Sequence, residues 1–358
     1  MNPLEEWIHC LIRNEAAENS EFQMHLRKKR LEMVTKDDFT KYKLYKLRKV
    51  LHYVFERSPF YRRLFRKMGV EPQDLKSVQD LTKIPFTELK SISENSYQFL
   101  CISQSKVLRG FTVEGFFEPS RRIFFTENEL KEIVEAVAVG LKMTGLRNGS
   151  VVQIVYPWEP EWGLPHIVER GVRLGGGKPV VTGSLKFEKQ VKEIERNNPS
   201  IIIGPNPYLR EFTGWAKNRF DLRRLRVKSL VLSRGCDFFP FSESIRKELE
   251  ESWGCKVFDH YGVTEASFTL ALECWEQNGL HLDEYHVYVE VIDPNSGETV
   301  DIGEEGELVF TTLNRVGMPF IRYRSRDIAA LIDEPCECGA KVNRRITGIK
   351  RKLEEITW

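Results

Sequence analysis

No apolar run in the sequence approaches the roughly 20 residues that a bilayer-spanning helix needs, so no membrane partner is expected. An excess of one charge is also missing. Lys and Arg number 54 against 52 Asp and Glu, a net charge of +2. A general nucleic-acid binder carries a basic excess, so nucleic acid is not an expected partner. The opening segment, MNPLEEWIHCLIRNEAAENSEF, carries acids and lacks the basic-then-apolar order of a secretory signal. Cysteine is sparse and odd in number, seven in 358 residues, which fits a reducing compartment and argues against a disulfide framework. Together these absences predict a soluble, cytoplasmic protein. Neither an internal repeat nor a low-complexity segment is present.

What is present suffices for a sizeable core: 41% of the residues are hydrophobic and 11% aromatic. Residues 1–90 form a helical N-terminal region, with apolar residues three and four apart up to about residue 66. SVQDLTKIPFTELK reads as a Pro-interrupted linker into the next unit. Residues 91–268 form an α/β core in which strand and helix patterns alternate, from SVVQIVYP through KPVVTG, SIIIGP and VKSLVLS to KVFDHYG. Such alternation predicts parallel strands covered by helices, with ligands at their carboxyl ends. Two turns, SRGCD and DHYGVTE, are expected at those ends. Residues 269–348 read as a small β-rich subdomain, and 349–358 as the remnant of a hinge. RLGGGKP, residues 173–179, does not match a phosphate-loop spacing and reads as a helix C-cap.

Two constellations carry chemistry. In DHYGVTE, Thr264 and Glu265 set a hydroxyl and a carboxylate at a strand end, a phosphate donor and a Mg²⁺ ligand by type. In CWEQNGLH and CECG, Cys274, His281, Cys336 and Cys338 offer two ligand pairs suited to tetrahedral zinc. Buried free thiols are the alternative, and His286 is the substitute for the fourth ligand. His260 and His281 read as structural rather than as general bases.

Tyr261-Gly262-Val263-Thr264-Glu265, then NGLH, VIDPNSGETVDIGEEGELVFTTLNRVGMPFIRYRSRD, CECG and RRITG occur in one order and spacing. This series resembles the adenylate-forming superfamily of acyl-CoA synthetases, in its phenylacetate-CoA ligase-like branch. The resemblance is densest from about residue 200 to 348. It implies an α/β acyl-CoA synthetase core with a small β-rich subdomain. It implies a reaction in which a carboxylate attacks ATP and a thiol, coenzyme A or phosphopantetheine, then displaces AMP. By resemblance Thr264 and Glu265 are catalytic, gripping a phosphate oxygen and Mg²⁺. Gly235, Asp237, Asp259, Tyr261 and Asp327 hold the nucleotide. Trp158, Trp162, Gly163 and His166 line the acyl pocket. Related ligases carry Cys and His near the four metal candidates, which favours structural zinc, and such ligases are often dimers.

Three departures qualify that expectation. In GFTVEGFFEPSRRIFFT the resemblance calls for a Gly-, Ser- and Thr-rich phosphate loop closing on Gly-Lys-Pro. This stretch reads as a degenerate phosphate loop of Thr112, Glu114, Phe116, Phe117 and Glu118, the last four standing where Gly, Ser, Thr and Lys would grip a polyphosphate. After ITG, Ile349, Lys350, Arg351 and Lys352 replace the expected Arg and acids of the hinge. The chain stops ten residues past Gly348, so the C-terminal lid is expected to be absent. These features predict that ATP-dependent adenylation is impaired or lost in a protein that still handles an acyl or aryl carboxylate or its thioester. The alternatives are an acyltransferase working between CoA and an acyl carrier protein, and a non-catalytic binding partner.

Overall fold

The computed structural model describes residues 2–18, 34–114, 119–157, 163–233 and 241–353. Three helices open the chain: α1 (Pro3–Glu18), α2 (Lys36–Arg57) and α3 (Pro59–Met68). Helix α2 starts at Thr35, whose side chain accepts from the Asp38 N–H while Asp38 reaches back, a reciprocal cap that fixes the boundary. Ser58 ends α2 and caps α3, Pro59 holds the first turn, and Gly69 stops α3 at a positive φ of 65°.

The segment expected to be a linker is packed instead. Leu81 and Ile84 are buried, and Thr87 exchanges backbone hydrogen bonds with Arg322 and Arg324. Arg322 Nη1 donates to the carbonyls of Thr82 and Ile84 at 3.0 and 2.8 Å. A distant arginine thus satisfies the backbone that proline and short 3₁₀ turns leave unpaired. Helix α4 (Leu89–Glu94) follows, and a hairpin of β1 (Arg109–Val113) and β2 (Arg121–Phe125) leads to α5 (Glu127–Met143).

The main sheet begins as the alternation predicts. Strands β3 (Val151–Ile154), β4 (Lys178–Val181), β5 (Ile201–Pro205), β6 (Ser229–Ser233) and β7 (Lys256–Val263) run parallel in the order β4-β3-β5-β6-β7. Helices α6 (Leu164–Leu174), α7 (Phe187–Asn197), α8 (Asn206–Ala216) and α9 (Glu243–Trp253) connect them. Alternation along β5 serves both layers: Ile201 and Ile203 join the core that contains α5 and α6 residues, and Ile202 joins the one under α7, α8 and α9. Each such fully buried side chain contributes about 1.5–3 kcal/mol relative to exposure.

The sheet then changes direction without a break. Strands β8 (Ser267–Glu273), β9 (Leu280–Leu282), β10 (Val287–Ile292), β11 (Glu305–Thr312), β12 (Tyr323–Ile332) and β13 (Arg345–Ile346) continue it antiparallel, in the order β8-β9-β13-β12-β11-β10. Strand β14 (Arg351–Lys352) pairs with β12. The boundary expected after residue 268 falls inside β8. The strand expected over KVFDHYG runs one residue further, to Val263, and the turn expected within DHYGVTE falls at its end. Gly262 allows this: a Cβ there would lie 2.1 Å from the Phe268 carbonyl oxygen of the neighbouring strand. Among the described residues no helix is long and apolar enough to cross a membrane.

Candidate functional site

Tyr261 and Asp327 meet across the join between the two halves of the sheet. Tyr261 Oη donates to Asp327 Oδ2 at 2.6 Å, and both residues are buried. Burial, and then the Asp327 charge, push the Tyr261 phenol well above its ordinary pKa, so it stays a donor. Asp327 follows Arg326, which holds a left-handed φ of 66°. That conformation costs a non-glycine residue on the order of 1 kcal/mol or more. Glu307 stabilises it, accepting the Arg326 N–H at 3.0 Å and the Arg324 guanidinium from the side. Asp259, on β7, is buried, and its N–H donates to Glu273 at 2.7 Å.

Thr264 and Glu265 share the tight turn after β7, closed by the Ala266 N–H to the Val263 carbonyl. Thr264 is half-buried, while Glu265 is only 2% exposed. The Glu265 carboxylate faces inward onto β2. Arg121 Nε donates to its Oε1, and Tyr323 Oη donates to the same oxygen at 3.2 Å. Arg315 supports the turn from behind, donating 2.7 Å bonds to the carbonyls of Glu265 and Phe124. Its guanidinium stacks over the Phe125 ring, 4.1 Å from the centroid. A divalent ion at Glu265 does not fit this arrangement. The carboxylate is already neutralised by Arg121, and the buried Arg315 guanidinium behind it is faced by Glu129 at 3.9 Å.

The hairpin before this turn carries the expected phosphate loop. Thr112 and Glu114 are exposed, whereas Phe116, Phe117 and Glu118 lie outside the described residues. The hairpin's arginines turn onto the protein itself. Arg109 lies over Phe111, Arg122 lies over Phe124 and donates to Tyr97 Oη at 3.0 Å, and Arg121 reaches Glu265. Of the expected acyl pocket, Gly163 caps α6 and His166 sits half-buried in its first turn, 3.9 Å from Glu169. Trp158, Trp162, Gly235 and Asp237 lie outside the described residues.

The four metal candidates converge. Cys274 directly follows β8, His281 lies on β9, and Cys336 and Cys338 sit on the turn after β12. That turn closes through the Gly339 N–H to Cys336, with Gly339 at a φ of 95°. Their ligand atoms all lie within 4.8 Å of one another. Cys274 Sγ and Cys336 Sγ are 3.7 Å apart, and Cys338 Sγ lies 3.5 Å from His281 Nε2. A tetrahedron with Zn–S of about 2.3 Å has S–S edges of about 3.8 Å, so the spacing fits zinc. Asn343 Oδ1 holds His281 Nδ1 at 3.0 Å, leaving Nε2 for the cluster. Asn2 Nδ2 donates to Cys338 Sγ at 3.1 Å. Asn2 also caps α1, while the Glu5 carboxylate takes the backbone N–H groups of Lys341, Val342 and Asn343.

The two histidines weighed beside these ligands fall elsewhere. His286 is no ligand: it pairs with Asp283 at 2.7 Å and lies 3.4 Å from Glu132. Burial opposes its charge, but the two acids outweigh it and raise its pKa to about 10. Burial holds His260 neutral, its pKa lowered to about 4.

Residues 166–314 match the family model described as AMP-binding enzyme. The phenylacetate-coenzyme A ligase of Aromatoleum evansii is 30% identical over 322 residues, which are 89% of this chain and 72% of that protein. This chain belongs to the phenylacetate-CoA ligase family. The enzyme of the same name from Thermus thermophilus is 32% identical, over 82% of this chain and 66% of its own length. The chain thus spans about two-thirds of that relative. The adenylate-forming core fold is shared with 2-hydroxyisobutyryl-CoA ligase, crystallised in an open conformation with 2-HIB-AMP and CoA. The TM-score is 0.81 at 22% identity, over 90% of this chain and 76% of that one.

Within that family frame, sequence reasoning missed Arg121, Arg315, Tyr323 and the amides Asn2 and Asn343. One signal was legible. In RRIFF, period-two alternation puts Arg121 on the face of Ile123 and Phe125, and an inward arginine requires a buried acid.

Proposed function

We propose that this protein handles an aryl or acyl carboxylate, or the corresponding thioester, on a phenylacetate-CoA ligase core, with ATP-dependent adenylation impaired. The supporting observation is the hairpin at the phosphate end. Arg121 is directed to the buried Glu265, Arg109 and Arg122 lie over Phe111 and Phe124 with Arg122 donating to the exposed Tyr97, and Glu114 is exposed at the start of the loop. A polyphosphate there would meet an exposed carboxylate, and near a surface each like-charge pair at about 4 Å costs on the order of 1–4 kcal/mol. The buried Tyr261–Asp327 pair is the candidate for the nucleoside end. The acyl donor or acceptor is a coenzyme A or phosphopantetheine thiol, the latter presented by an acyl carrier protein. Structural zinc occupies the Cys274–His281–Cys336–Cys338 cluster, where four protein ligands complete a closed site.

ATP–pyrophosphate exchange with a panel of aryl and fatty acids tests this reading, with the Thermus enzyme as positive control. We expect no exchange above the acid-free blank. In a thermal-shift titration, aryl- or acyl-CoA is expected to raise Tm and ATP with magnesium is not. Robust exchange with any acid overturns the proposal.

A further inference from the structure

We propose that Arg121 is a built-in cation standing in for the divalent metal at Glu265, so that the site works without magnesium. This rests on the family reading of Glu265 as the metal-side carboxylate. Several independent features converge on it. Both partners are buried, their side chains 4% and 2% exposed. The contact is a charge-assisted bond from Arg121 Nε to Glu265 Oε1, and the Tyr323 hydroxyl fills a further lone pair of that oxygen. Arg315 fixes the peptide of the turn through the Glu265 carbonyl, so the carboxylate is presented to β2. Arg121 also holds a defined inward position on β2, where Val113↔Arg121 pairs the two strands of the hairpin.

The chemistry follows from charge. A guanidinium remains protonated throughout the physiological range and cannot be removed by a chelator. A divalent ion needs carboxylate oxygens with free lone pairs, and a guanidinium at contact distance competes for them and repels it. Arg121 takes a lone pair and supplies the repulsion, while the buried Arg315 guanidinium nearby is itself faced by Glu129 at 3.9 Å. A lone Glu265 would accept the ion; Glu265 paired with Arg121 excludes it. Arg121 is thereby a specificity-determining residue, selecting ligands that arrive without a metal, such as a nucleoside monophosphate or a thioester, over metal-bound triphosphate.

The test uses Mn²⁺ as a paramagnetic probe on the full chain loaded with zinc. Binding is read by EPR with and without ATP. The wild type is expected to bind no Mn²⁺ that Glu265→Gln removes, and the AMP-induced thermal shift should be equal in magnesium-free buffer and in Mg²⁺. Arg121→Met should gain about one equivalent of bound Mn²⁺, and Arg121→Met/Glu265→Gln should lose it. Arg121→Lys keeps the charge and should exclude Mn²⁺ as the wild type does. A wild-type Mn²⁺ signal that disappears in Glu265→Gln overturns the proposal. So does a folded Arg121→Met that binds none. Should Arg121→Met fail to fold, the wild-type and Glu265→Gln comparison still decides. Failure of the broader reading is separable. Acid-dependent pyrophosphate exchange without Glu265-dependent Mn²⁺ binding sinks impaired adenylation and leaves this proposal standing. The reverse result does the opposite.

Discussion

The Cys274–His281–Cys336–Cys338 cluster and the Glu265 turn both gather metal-ligand side chains, and their surroundings are opposite. At the cluster, sulfur and ring nitrogen face one another and the neighbouring groups are amides: Asn343 on the imidazole and Asn2 on Cys338. Amides orient ligands without competing for them. At Glu265 the neighbouring group is a guanidinium, and it occupies the carboxylate directly. Ligand-type residues therefore do not make a metal site by themselves. The charge that already faces them decides whether an ion can enter.

Stripping metal should break this contrast most visibly. Purified protein is expected to carry close to one equivalent of zinc, and less than about 0.3 equivalents by elemental analysis would rule out a tight four-ligand site. Chelation, or Cys274→Ser, should lower stability in urea by several kcal/mol, since structural zinc binding is folding free energy. The Arg121–Glu265 pair should be indifferent to the same treatment.

A second perturbation reaches the scaffold behind the cluster. Glu284 is buried between Lys43 and Arg344, accepts the Arg344 N–H at 2.8 Å and lies 3.4 Å from Asn343 Nδ2. Burial raises its pKa, but Lys43 and Arg344 outweigh this and hold it at about 2. Glu284→Ala leaves two buried cations unpaired and should cost about 3–5 kcal/mol in urea unfolding. Metal affinity should fall with it, because Asn343 loses its backing. The folded pKa is depressed, so this contribution is complete above the ordinary carboxylate value of 4.5 and fades as pH falls toward 2.

The smallest expected effect sharpens the comparison from the alkaline side. His286 faces Asp283 and Glu132 and packs against the Trp7 and Tyr285 rings. Its folded pKa, raised to about 10 from 6.5, means its stabilisation is full below 6.5 and lost as pH climbs through 10. His286→Gln should flatten that alkaline decline in Tm by an amount worth on the order of 1–2 kcal/mol. An unchanged slope would show that the ion pair contributes nothing to folding.

How legible this was in the sequence depended on the range of the contacts. The βα alternation was local and foretold the parallel half of the sheet. The four metal candidates were named from residue type and ordering, and the fold brings them within 4.8 Å. The packed stretch around Thr82 and Ile84 was misread as a linker, because the group that satisfies it, Arg322, lies some 240 residues away. Nothing local to the hairpin assigns Arg121 a role. Its partner is 144 residues distant, and only the packing of the hairpin against the turn after β7 joins them.

The seating of Asn2 and Glu5 on the cysteine turn also has a consequence for synthesis. These bonds join residues 336 to 338 positions apart. At 5–20 residues per second the ribosome needs roughly 17 to 70 s to make that stretch. Through that interval the nascent helix α1 waits without its anchor, and the metal ligands that the anchor buttresses emerge only at its close. Helix α1 is thus locked by a segment made some 336 residues later, so it is anchored only after the parallel half of the sheet and strands β8 to β12 have been translated.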